Sequence, residues 1–175
     1  MRALSDRSIS VTDTATVQAR PSYEDAYLHL GPPNGTLVRI LMRMTGDIDE
    51  ARDLAQETLS RLWLNYESVD NPDAWCVRVG TRLFLDLSRH RRTADRFQPL
   101  LREITVVDGG PIERVAVRLA MAQLHPSQRA LLILRYYCDL GLADVADILG
   151  LNPSTCRGLA VQAQAALKRL IEERA

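Results

Sequence analysis

Apolar residues recur along this chain at helical rather than strand spacing. Leu37, Ile40, Leu41 and Met44 fall at i, i+3, i+4 and i+7, which predicts an amphipathic helix over about 36–45. Before it, Tyr23, Ala26, Tyr27 and Leu30 share one face of a shorter helix that Ser22 can cap. Gly31-Pro32-Pro33-Asn34-Gly35 must break the chain between the two. A third helix, about 48–65, starts at an Asp47 or Asp49 cap. Its pattern predicts a buried stripe of Leu54, Ala55, Thr58, Leu59, Leu62 and Trp63, with Asp53, Gln56, Glu57, Ser60 and Arg61 outward. Asn71 as cap and Pro72 at the first helical position open a fourth helix, running to about Arg91. Trp75, Val79, Leu83 and Leu87 are its expected apolar positions, joined by Val77 and Phe84.

The pattern lapses from Phe97 to Pro111, where Asp108-Gly109-Gly110-Pro111 reads as a loop. It resumes at Ile112–Leu124, with Val115, Leu119, Met121 and Ala122 on a broad face. A helix opened by Pro126 follows, ending near Asp139. A short helix over Leu142–Leu149, a turn at Gly150-Leu151-Asn152-Pro153 and a helix over about 154–172 make a helix-turn-helix. Strand alternation is absent from the pattern throughout. The expected fold is all-α: a tail over 1–21, a helical domain over 22–95, a flexible linker over 96–111 and a second helical domain over 112–175.

Charge separates along the chain although its 175 residues sum to a net charge of zero. Asp47, Asp49, Glu50, Asp53 and Glu57 stand against Arg52 in the third helix; Arg78, Arg82, Arg89, Arg91 and Arg92 stand against Asp86 in the fourth. Neighbouring helices of opposite sign suggest two different macromolecular partners. Three scattered cysteines, Cys76, Cys138 and Cys156, exclude a Cys-x-x-Cys site and fit a reducing cytoplasm. No 18-residue apolar run or signal-type leader is visible, so membrane insertion is not expected. His29, His90 and His125 are dispersed, and no nucleophile–base pair or glycine-rich phosphate loop stands out. The expectation is a non-enzyme without catalytic residues, metal or cofactor.

Three features carry the remaining chemistry. In the helix-turn-helix, Asn152 can cap the second helix, with Thr155, Leu159, Ala163, Ala166, Leu167 and Leu170 inward. Ser154, Arg157, Gly158, Val161, Gln162 and Ala165 would then face DNA, Arg157 and Gln162 touching phosphates or base edges. An ordinary helical hairpin fits the same pattern. Arg78, Arg82 and Arg89 lie near one helix face at spacings of 4 and 7, with Trp75 and Phe84 among them. Guanidinium groups interleaved with rings suit single-stranded nucleic acid. A solvated face with an Arg82–Asp86 pair is the plainer reading. Asp53, Gln56 and Glu57 form an i, i+3, i+4 patch that can dock a basic helix, or simply meet water.

Taken together, three segments resemble the group IV, or extracytoplasmic-function, sigma factors of bacterial RNA polymerase. GDIDEARDLAQETLSRLW is similar to the family's GD-x-x-x-A-x-D-L-x-Q-E-x-x-x-x-x-W segment, and DNPDAWCVRVGTRLFLDLSRHRR to its AW-x-x-R segment. LHPSQRALLILRYYCDLGLADVADILGLNPSTCRGLAVQAQAALKRL is similar to the LP-x-x-Q-R segment with its helix-turn-helix. The resemblance spans roughly 23–170 in family order. It implies sigma regions 2 and 4, with promoter DNA, the polymerase core (β′ and β subunits) and an anti-sigma factor as partners. Asp53, Gln56 and Glu57 would grip the polymerase. Asn71, Trp75, Arg78, Arg82 and Arg89 would engage the −10 element, with a base extruded from the non-template strand. Ser154, Thr155, Arg157, Gly158 and Gln162 would meet the −35 element. This chain departs from the family by Arg82 where Asn is usual, and by a recognition helix with one cation, Arg157, before Lys168. Two other classes fit parts of the pattern: a stand-alone helix-turn-helix regulator, which would bind duplex DNA tightly by itself, and a degenerate sigma-like interaction protein, which would not initiate transcription.

Overall fold

A computed structural model of the chain describes residues 22–94 and 112–173. The expected tail over 1–21 and linker over 96–111 lie outside the described residues. Those residues form eight α-helices and one 3-10 turn, and contain no strand. Helix α1 (Tyr23–Leu30) starts at a Ser22–Asp25 capping box. Helix α2 (Thr36–Thr45) ends at Gly46, whose φ of 79° is the left-handed conformation that glycine adopts freely. Helix α3 (Ile48–Asn65) begins where the Asp47 carboxylate accepts from the Asp49 and Glu50 N–H groups. A 3-10 turn (Tyr66–Ser68) leads to α4 (Pro72–Ala94), capped by Asn71, which accepts from Ala74 N–H at 3.0 Å.

The second half continues with α5 (Ile112–Gln123) and α6 (Pro126–Tyr136), the latter capped by His125 and Gln128. It ends in α7 (Leu142–Leu149) and α8 (Pro153–Glu172). Gly150, with φ of 67°, turns the chain between them, and Asn152 caps α8 through Thr155 N–H at 2.8 Å. Helix α6 stops at Tyr136, short of the expected Asp139, because Asp139 is itself left-handed at φ 53° and cannot continue a right-handed helix.

The α2 stripe is as the pattern predicts: Leu37, Ile40, Leu41 and Met44 are fully buried. Three other stripes differ from expectation. On α3, Ala51, Leu54, Ala55, Thr58, Leu59 and Leu62 go inward, while Trp63 is 62% exposed. Trp63 continues the Ala51–Ala55–Leu59 row, and the drift of about 40° per i+4 step carries it past the edge of the stripe. Trp63 lies instead edge-on to Tyr23, ring centroids 4.7 Å apart. On α4 the deeply buried positions are Cys76, Val77, Gly80, Thr81 and Phe84, with Trp75, Val79, Leu83 and Leu87 half-buried. Small residues carry that face because α4 crosses α2 closely: a Cβ on Gly80 would sit 3.2 Å from Leu37 Cδ1. On α8, Thr155, expected inward, is exposed, and Cys156 goes inward in its place. The Cys156 Sγ lies 3.7 Å from the Leu142 carbonyl of α7.

The two halves share one continuous apolar core, with α2 packed on α3, α4 and α6, and α4 packed also on α6 and α7. A buried guanidinium fastens the seam. Arg129 of α6 donates to the Met44 carbonyl at the end of α2 (2.7 Å) and to the Ala122 and Leu124 carbonyls at the end of α5. Arg43 of α2 stacks over the Tyr137 ring, 3.8 Å from its centroid.

Candidate functional site

Two faces of the first half carry the expected chemistry. On α3, Asp53, Gln56 and Glu57 all reach solvent on the side opposite the Leu54–Leu62 stripe. Glu57 accepts from Arg61 at 2.8 Å, an i, i+4 pair on the helix surface. Ser60 donates to the Gln56 carbonyl. The acidic patch is therefore rigid in backbone and open in side chain. Beyond it, the same helix exposes Trp63 and Leu64, at 62% and 81%. Tyr23, Tyr66 and Trp63 stack edge-to-face there; of the three, the pattern assigns Trp63 to the buried stripe.

On α4 the expected nucleic-acid residues divide. Asn71 is exposed but its side chain is committed to capping. Trp75 is half-buried against the core. Arg78 forms an ion pair with Asp147 of α7. Arg82 reaches the same helix, donating to the Asp147 and Ile148 carbonyls at 3.4 Å. The Arg82–Asp86 pair does not form; Asp86 takes Arg89 instead, at 2.6 Å. Arg91, one turn on, places both Glu50 oxygens within 2.7 Å of one guanidinium nitrogen. Glu50 is only 11% exposed, so the acidic and basic helices are bolted together at that end.

Asp147 and Glu50 have no signature in the sequence. Each is an ordinary helical acid, and only the packing of distant segments gives it a cation.

On α8, Ser154, Thr155, Arg157, Gly158 and Gln162 are all exposed. Ser154 shares the Asn152 cap, its hydroxyl donating at 2.8 Å. Val161, 67% exposed, lies among them. Before Lys168 the helix presents an outward surface with one cation, Arg157, and α7 braces it from behind through Cys156.

Buried groups elsewhere are quiet. Burial pushes the Cys76 thiol up to about 12, with Asp73 adding to the shift, and burial likewise lifts Cys138 to about 12. Neither forms thiolate at neutral pH. Burial lowers the Arg129 pKa, with Glu50 opposing the shift. Among the described residues, no group of three or more His, Cys, Asp or Glu side chains is placed to hold a metal ion. No described helix is long and apolar enough to cross a membrane.

Comparison with known proteins bears on the order of these faces. Residues 34–96 match the sigma-70 region 2 family model, and residues 114–170 match the sigma-70 region 4 model. The acidic and basic helices fall in the first match, the helix-turn-helix in the second. The chain belongs to the sigma-70 family, in its extracytoplasmic-function group. It is 30% identical over 152 aligned positions to the ECF RNA polymerase sigma factor SigJ of Mycobacterium tuberculosis, covering 75% of this chain and 46% of that protein. It is 28% identical to SigG of the same organism over 201 aligned positions, covering 96% of this chain and 54% of that one. The chain thus spans about half the length of these curated relatives. Its fold is similar to that of the sigma factor RpoE from Bartonella quintana, solved in complex with the anti-sigma factor NepR. The TM-score is 0.69 at 22% identity, over 86% of this chain and 96% of that one.

Proposed function

We propose that this sigma-family chain is a promoter-specificity subunit of RNA polymerase, acting by binding rather than by catalysis. Asp53, Gln56 and Glu57 dock the polymerase core, chiefly a basic helical surface of β′. Asn71, Trp75, Arg78, Arg82 and Arg89 engage the −10 element once it is melted. Ser154, Thr155, Arg157, Gly158 and Gln162 approach the −35 element. The linker between the halves threads toward the polymerase active-site region, and the site of action is the cytoplasm. An anti-sigma factor is the expected regulator.

The observation that carries this reading is the open acidic face of α3, bolted by Glu50–Arg91 to the basic helix beside it. A polymerase grip of one sign and a nucleic-acid face of the other are thereby held on one rigid unit. Charge reversal at both Asp53 and Glu57 (D53K/E57K) is expected to abolish co-purification with core polymerase and leave the thermal melt within a few degrees of wild type. Both positions are exposed, and surface substitutions of this kind change stability by about 0.5 kcal/mol or less. Retention of wild-type core binding by the folded double variant would overturn the assignment.

A further inference from the structure

The outermost strip of α8 is small, apolar and open. Cys156 and Ala163 are buried and fix the inward side of the helix. At about 100° per residue, the side opposite them is Ser154, Gly158, Val161 and Ala165, all exposed. Ser154 turns its hydroxyl back to the Asn152 cap. The strip that remains is Gly158, Val161 and Ala165, with Val161 at 67% exposure and nothing within 4 Å of a Cβ added at Gly158. Its two edges differ in chemistry. Arg157 and Lys168, about three turns apart, share one edge, and Gln162 lies on the other. Both Gln162 and Gln164 are exposed, but the Gln164 amide donates to the Tyr136 hydroxyl of α6. The Gln162 amide is the one turned outward beside Val161.

Guanine is read in the major groove by a guanidinium or ammonium against its O6 and N7, and the middle of this strip holds neither. A glutamine amide pairs bidentately with N6 and N7 of adenine, and an apolar side chain packs on the C5-methyl of thymine. We infer that Gln162 and Val161 together read one A·T pair of the −35 element, Gln162 on the adenine and Val161 on the thymine opposite it. The inference rests on the reading of α8 as the duplex-DNA surface and gives that surface a base preference. Arg157 and Lys168 meet phosphates along one edge, adding affinity without sequence information. Gly158, with no side chain, lets the helix lie close enough for two short neighbours to reach the base edges. The exposed valine thereby gains an apolar contact that water does not give it.

The test uses the full chain assembled with core RNA polymerase and a pool of duplex promoters randomised over the −35 element. Wild type should enrich one A·T pair, and Gln162→Ala should relax that preference about tenfold, the loss of one bidentate contact. Gln164→Ala, whose amide is held by Tyr136, should leave the preference unchanged. On the enriched duplex, uracil in place of the thymine removes only the methyl and should weaken wild-type binding about fourfold. Val161→Ala should be insensitive to that exchange. A G·C pair in its place, equal relaxation by the two glutamine variants, or a uracil penalty as large in Val161→Ala as in wild type would each overturn the assignment. Failure of the underlying reading of α8 looks different: no −35 base would be enriched at all, and Arg157→Ala would leave promoter binding unchanged.

Discussion

Two glycines in the helix-turn-helix region show how one residue type does opposite work. Gly150 is left-handed at φ 67° with open space around it, so its lack of a side chain answers a backbone need rather than a packing one. Gly158 sits within regular α8 with nothing within 4 Å of an added Cβ. Gly150→Ala is therefore expected to destabilise the protein by about 1 kcal/mol, and Gly158→Ala to stabilise it by about as much. Thermal melts should move in opposite directions, by about 2–4 °C each for a chain of this size. Matching signs would refute the backbone account. Residue identity was legible here: Gly-Leu-Asn-Pro announces a turn, and the cap follows. The direction of single side chains at stripe edges was not. Trp63 and Thr155 lie one step from the positions that go inward, and 100° of rotation separates core from solvent.

At the level of elements, periodicity located the helices because each buries one stripe, and a stripe needs regular spacing. It served α2 best, where large aliphatic residues do the burying. It served α4 worst, because Gly80 and Thr81 line a close crossing and a hydrophobicity reading overlooks them. The outward row of α8 is legible as a row but poor in charge, with Arg157 alone before Lys168. If this helix approaches duplex phosphates, Gln162→Arg should tighten duplex binding. It should also steepen the dependence of log K on log salt by about 0.9, one counterion's worth. An unchanged slope would mean that position 162 does not meet the backbone of the DNA.

For the whole molecule, the deciding contact is Arg129. Its guanidinium joins the end of α2 to the end of α5, and its Nε is the one buried side-chain nitrogen or oxygen without a hydrogen-bond partner among the described residues. A guanidinium keeps its charge even when burial disfavours it, so its carbonyl partners must compensate. Arg129→Met should strand the Met44 and Ala122 carbonyls and cost about 3 kcal/mol, read as a lower urea midpoint. A midpoint equal to wild type would show that the seam is held by apolar packing alone.

The sequence by itself determined the helices, their order, the two matched regions and the sign of charge on α3, α4 and α8, because each of these is written in neighbours within a few turns. Only the tertiary structure decided that Arg78 and Arg82 contact α7, that Glu50 holds Arg91, and that one core runs through both halves. The physical reason is range. Helix formation and stripe position depend on residues three or four apart, whereas these contacts join residues 41 to 69 positions apart, whose meeting is set by how the helices pack.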